Sequence, residues 1–147
     1  MTSLGRGRRG RGEAGSVAVE IALLAPALVL VLGLLVAGGR LWFARTTVVE
    51  AALTSARAAS LARSPGEATA AGADAGRESM TTAGLRCATS SVQVSSAAFS
   101  VPVGTPATVT SDVTCSVPFG DVFLPGVPGS IELTGRGSAA LDTYRAR

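Results

Sequence analysis

Ile21–Gly39 reads IALLAPALVLVLGLLVAGG, nineteen residues without a charge. As an α-helix rising 1.5 Å per residue the run is about 28 Å long, close to the ~30 Å hydrocarbon core of a bilayer. The stretch is read as a transmembrane helix, and the rest of the chain is organised around it. A secretory leader is the competing reading, with Val36-Ala37-Gly38 as a passable cleavage site. A leader's apolar region is only about 7–15 residues long, so the length favours an anchor. Pro26 and Gly33 fall inside the run; both weaken a soluble helix but are tolerated in a membrane one.

Upstream, Arg6, Arg8, Arg9 and Arg11 crowd the first dozen residues, whereas Arg40 and Arg45 follow the span more sparsely. The positive-inside rule then places the head in the cytoplasm and the chain beyond residue 40 outside. The formal charge of +3 belongs to this head. Without residues 1–15 the chain keeps nine Arg against nine acidic residues and is neutral. A nucleic-acid partner is not expected, because such a surface needs basic residues spread over a folded face with aromatics among them. Glu20 stands at the cytoplasmic mouth of the span. It is either an interfacial carboxylate reaching water or Arg11, or a functional contact, since an acid at the edge of hydrocarbon is costly unless paired.

The segment Gly15-Ser16-Val17-Ala18-Val19-Glu20 resembles the type IV prepilin processing signal: a basic leader, a Gly, and a Glu five residues later opening an apolar helix. The longer stretch RGEAGSVAVEIALLAPALVLVLGLLVAGGRLWF is similar to the TadE-like family of minor pilins of tight-adherence, Flp-type pili. The features in common are the Arg/Gly head, Ala18-Val19-Glu20, Ala22-Leu23, Pro26, the Leu/Val run and Gly39-Arg40-Leu41. The tail Ala139–Arg145 is similar to that of actinobacterial members. The chain departs from the family pattern at Ile21, where Phe is usual, and at Ala37, where an acid is common. The resemblance implies that a prepilin peptidase cuts between Gly15 and Ser16, a Gly being the residue that fits closest to a catalytic dyad. It also implies that Glu20 of a neighbouring subunit neutralises the new Ser16 amine as helices bundle. The implied partners are the peptidase, other pilins, the Tad-type membrane assembly platform and membrane lipid.

Beyond the span the helical period continues to about Ala62, with Val48, Val49, Ala52, Ala56 and Ala59 on one face and Glu50, Thr54 and Arg57 opposite. This Ala-rich face is expected to pack on the chain's own domain. Ser64-Pro65-Gly66-Glu67 restarts a helix, with Ser64 as N-cap, Pro65 in the first turn and Glu67 completing a capping box. That second helix is interrupted by Gly72 and Gly76 and capped by Gly84. From Cys87 the period becomes two. Val109, Val113, Cys115 and Val117 alternate with polar residues, and shorter strands are expected near Ser91–Ser96 and Ile131–Leu141, with Gly120–Gly129 as a surface loop. The fold class is therefore α+β, a reduced pilin-like arrangement: a long helix, a short helix and a small antiparallel sheet of about three strands. The expected segments are a leader over 1–15, a membrane helix over 16–39 and an extracytoplasmic domain over 40–147.

Aromatics are only 4% of the chain, so its core is thin. Two cysteines in an exported domain, Cys87 and Cys115, are read as a disulfide that compensates. No cofactor and no metal are expected: His is absent, and two thiols leave a zinc site half empty. Nor is an enzyme expected, since neither a phosphate loop nor a base for the many Ser and Thr is visible. Two function classes remain, a structural pilin-like component and a membrane-tethered extracellular binding module. The Gly15–Glu20 segment favours the first, because a mere tether does not need it.

Overall fold

The computed structural model describes residues 12–122, 126 and 128–143, with side chains from residue 19 onward. The leader up to residue 11 and the tail positions Tyr144 and Arg145 lie outside them. Seven elements follow in order: α1 (Gly12–Ser60), α2 (Pro65–Thr82), β1 (Thr89–Ser95), a 3₁₀ turn (Ala97–Ser100), β2 (Ala107–Pro118), α3 (Phe119–Val122) and β3 (Ser130–Leu141). By chain contacts there are two units, divided between Val36 and Ala37.

In the N-terminal unit α1 alone is described. Its large apolar side chains, among them Leu23, Leu28, Leu30 and Leu34, are all more than half exposed. No protein covers them, and this is the one described helix long and apolar enough to cross a membrane. A helix of this kind satisfies its own backbone polar groups and leaves only hydrocarbon to its surroundings.

The C-terminal unit is built on the last part of α1. Ala44, Val48, Ala51, Ala52, Ser55, Ala56 and Ala59 are buried at three- and four-residue spacings. The expectation that the Ala face packs on its own domain is thus met, with one correction. Val49 is 36% exposed, because a step of 100° along the helix turns it from the sheet that Val48 faces, and Ala51 and Ser55 take its place.

The sheet has the order β1-β2-β3, antiparallel throughout. Along β2 the side chains of Val109, Ser111, Val113, Cys115 and Val117 turn inward, as the two-residue period predicts. β3 is as long as β2 rather than shorter, pairing from Pro118↔Ser130 to Ala107↔Leu141. Its inward positions include Gly135 and Gly137. A Cβ on Gly135 would lie 2.6 Å from the Val48 carbonyl oxygen, and one on Gly137 would collide with the Ala52 carbonyl and the Leu53 amide. Here strand and helix meet backbone to backbone. Beside this contact the Ser111 hydroxyl donates to Ser55 Oγ at 2.8 Å, both groups fully buried.

α2 follows its sequence signals. Ser64 Oγ accepts from the Glu67 amide, while the Glu67 carboxylate reaches one residue further back than a capping box, to the Arg63 amide at 3.1 Å. At the other end Gly84 has φ +74°. The Gly84 amide donates to the Thr81 carbonyl and the Leu85 amide to that of Met80, the double closure that needs a left-handed residue. Gly72 and Gly76, expected as interruptions, are buried. Space for a Cβ at Gly72 is taken by Val94 of β1 and by Ser55 and Ala59 of α1, and at Gly76 by Val92 and Ser55. Their missing side chains let α2 fit between helix and sheet, which offsets the propensity lost. The expected loop over 120–129 begins instead with α3, whose Val122 is fully buried because it completes the cluster of Ala44, Val113, Val117 and Leu133.

Four variants test this packing in the detergent-solubilised full chain by chemical denaturation. Gly137→Ala should destabilise the C-terminal unit by about 3 kcal/mol, the range of an overpacked core. Gly66→Ala, where the added Cβ meets nothing within 4 Å, should be neutral or gain roughly 0.5 kcal/mol. Ser111→Ala strands a buried hydroxyl on Ser55 and should cost about 1–3 kcal/mol, whereas the double variant S55A/S111A should recover part of that loss.

Candidate processing and assembly site

The sequence-predicted site residues fall into two groups, and the two lie in different units. Gly15, Ser16 and Glu20 all belong to the first turns of α1. This stretch is helical because Ala and Val dominate it and the unbroken apolar run follows. For Gly15 and Ser16 only the backbone is described, and it is already helical. Four residues separate Ser16 from Glu20, which puts the two on one side of the helix about 6 Å apart along its axis. Glu20 is exposed and makes no ion pair with a described residue; Arg11, its alternative partner, lies outside the described residues.

The second group is a covalent one. Cys87 and Cys115 are joined, with their Cα atoms 5.4 Å apart. The pairing is positioned by the sheet: Ser90 lies opposite Cys115, and the Ala88 amide donates to the Ser116 carbonyl at 2.8 Å. The chain before β1 is thereby held against β2, and the disulfide joins the same buried cluster as Val48 and Met80. The loop closed by the bond contains β1, the 3₁₀ turn and most of β2.

The outward face of the sheet is polar. Gln93, Asp112 and Arg136 lie side by side across the three strands, and Arg136 Nε donates to Asp112 Oδ1 at 2.6 Å. Rows of Ser and Thr flank this pair: Ser91, Thr114 and Thr134 on one side, Ser95, Thr110 and Ser138 on the other. An exposed pair of this kind contributes little to stability. Nearer the span, Arg40 Nη1 donates to the Asp121 carbonyl of α3 at 3.3 Å. Sequence reasoning missed this contact. Its only signal was an Arg placed directly after an uncharged run.

Taken together these features define an α+β protein with a disulfide-stapled C-terminal unit and, among the described residues, one candidate membrane-spanning helix, which fits a single-pass membrane protein. Residues 15–57 match the family model described as TadE-like protein. The stretch that carries Glu20 and the span is therefore similar to that family, in agreement with the resemblance read from its residues. No curated protein and no solved structure matches the chain.

The disulfide yields a direct prediction. Non-reduced, unfolded chain should show no free thiol. Reduction should lower the stability of the C-terminal unit by about 3–4 kcal/mol, the chain-entropy value for a closed loop of this size. The measurement is denaturation with and without reductant, and two reactive thiols before reduction would contradict it.

Proposed function

We propose that this chain is a TadE-like minor pilin or pseudopilin, a structural component of a Flp/Tad-type pilus or of its secretion apparatus, and not a catalyst. The observation that carries the reading is the match over residues 15–57, which begins at the Gly of the processing signal and includes Glu20 and the whole span. In this reading the Arg-rich head is cytoplasmic, the C-terminal unit is extracytoplasmic, and a prepilin peptidase releases residues 1–15.

Electrostatics gives the cleavage its purpose. Cutting after Gly15 creates a cationic amine on Ser16 at the edge of the hydrocarbon, one helical turn from the Glu20 carboxylate. Neighbouring helices offset by about 6 Å along their axes place the Glu20 of one beside the amine of the other. Each charge is costly alone at that depth, and the pair relieves both. Contacts among Leu and Val side chains specify no particular offset, so the charge pair is what selects one. Pilins and the assembly platform are the partners that this arrangement serves. A membrane-tethered binding module would need neither the Gly nor the Glu at this spacing.

Two measurements test the proposal. N-terminal sequencing of the mature protein should find Ser16; a start at Met1 or Gly39 would reject peptidase processing. Glu20→Gln should leave cleavage and membrane insertion intact but abolish crosslinks to pilus partners. Breaking one side of a buried pair costs about 3–5 kcal/mol, two to three orders of magnitude in docking. Retention of crosslinks and piliation at normal protein levels would return Glu20 to an interfacial carboxylate.

A further inference from the structure

The two edges of the sheet are finished differently. Against β1 stands α2, whose Gly72 and Gly76 meet Val94 and Val92. β3 is the other edge. Among the described residues β2 is its one strand neighbour, and no hydrogen bond reaches its outer side between Ser130 and Leu141. Alternate residues of a strand turn both N–H and C=O to the same side, so β3 offers a row of unpaired backbone groups along twelve residues. Edges of that length are ordinarily interrupted by Pro or by a bulge. β3 has no Pro, and its register with β2 runs without a break.

A flank of α1 overhangs this edge. Val49 Cα lies 2.9 Å from where a Cβ on Gly135 would stand, and the Leu53 amide nitrogen is equally close to that of Gly137. At about 100° per residue both are turned well away from Ser55, which meets α2. Their side chains therefore stand on the β3 side of the helix, and each is more than a third exposed. Beneath them Gly135 and Gly137 contribute no side chain, so a strand laid along the edge finds room there for large apolar groups. The other face of β3 carries two charges. Glu132 is exposed and has no ion-pair partner among the described residues, whereas Arg136 is tied through Nε to Asp112.

We propose that the outer edge of β3 receives an extended strand of a partner protein, paired antiparallel as the rest of the sheet is. That strand carries a basic residue opposite Glu132 and apolar residues opposite Gly135 and Gly137, under Val49 and Leu53. Backbone hydrogen bonds supply the hold, and the alternating side chains select the partner. The β3 of a second copy meets this pattern too, with Arg136 facing Glu132 when Thr134 faces Thr134. Its α1 would then run opposite to this one, because α1 and β3 advance together from Val48 over Gly135 to Ala52 over Gly137. Two chains inserted the same way in one bilayer do not meet like that, and this step alone rests on the reading of α1 as a span.

The test uses full chain in detergent and a fluorescein-labelled peptide, Leu-Asp-Val-Thr-Ala-Arg-Val. Paired antiparallel, it sets Leu opposite Gly137, Val opposite Gly135 and Arg opposite Glu132. Its anisotropy should rise to saturation, and amide hydrogen exchange should slow in β3 but not in β1. Glu132→Lys should weaken binding roughly tenfold, and a peptide with Glu in place of Arg should restore it on that variant. Leu53→Asp should weaken the original peptide by a similar factor. Absence of saturable binding, slowing in β1 instead of β3, indifference to Glu132→Lys, or a loss that the swapped peptide does not restore overturns the proposal. So does slowing in β3 that appears without peptide as the chain is concentrated, which marks a second copy as the occupant.

Discussion

The C-terminal unit depends on the contact between the backbone of β3 at Gly135 and Gly137 and that of α1 between Val48 and Leu53. Helix and strand ordinarily keep their backbones apart by the thickness of interleaved side chains. Here glycines on the strand and alanines on the helix remove that thickness, and atoms of the two main chains are in direct contact. The rest follows from the reduced spacing. A core this shallow has no room for large residues, which agrees with an aromatic content of 4%. It also buries little apolar area per residue, and at roughly 25 cal/mol per Å² each lost methylene matters. The disulfide and the Ser55–Ser111 hydrogen bond hold the parts together where hydrophobic mass is lacking.

The same contact explains which parts of the fold could be read in the sequence. The alternation of β2, the Ser64 cap and the Gly84 stop are local signals, each decided by residues within a turn or two, and each reappears in the structure. Propensity alone weighs Gly72 and Gly76 against helix, whereas their use depends on Ser55 and Ala59 in another helix and on Val92 and Val94 in β1. Gly135 and Gly137 gave no sign at all, since nothing in a strand pattern announces the helix that will cross it. Val49 shows the limit of periodicity: the face was right, but its centre was set by the sheet. The 3₁₀ turn with buried Phe99 was likewise invisible, because that ring is placed by Val109 and Leu141.

The candidate site divides along the same line. Gly15, Ser16 and Glu20 are picked out by their spacing along one helix, and they fall within the stretch that matches the TadE-like model. The cysteines are legible by count, there being only two. The hydrogen bond from Arg40 to α3 is not, because it joins positions that only the completed sheet brings together. What the sequence of this protein displays well is the long apolar helix; what it conceals is how the small domain closes.

That closure has a consequence for the order of events during synthesis. Gly135 and Val48 are about ninety residues apart in the chain, a separation that makes their meeting slow compared with local structure. Both cysteines precede β3, so the bond between them does not wait on the pairing of that strand. Until β3 pairs with β2, the carbonyls of Val48 and Ala52 have no strand against them, so this part of α1 reaches its final packing only when β3 is in place.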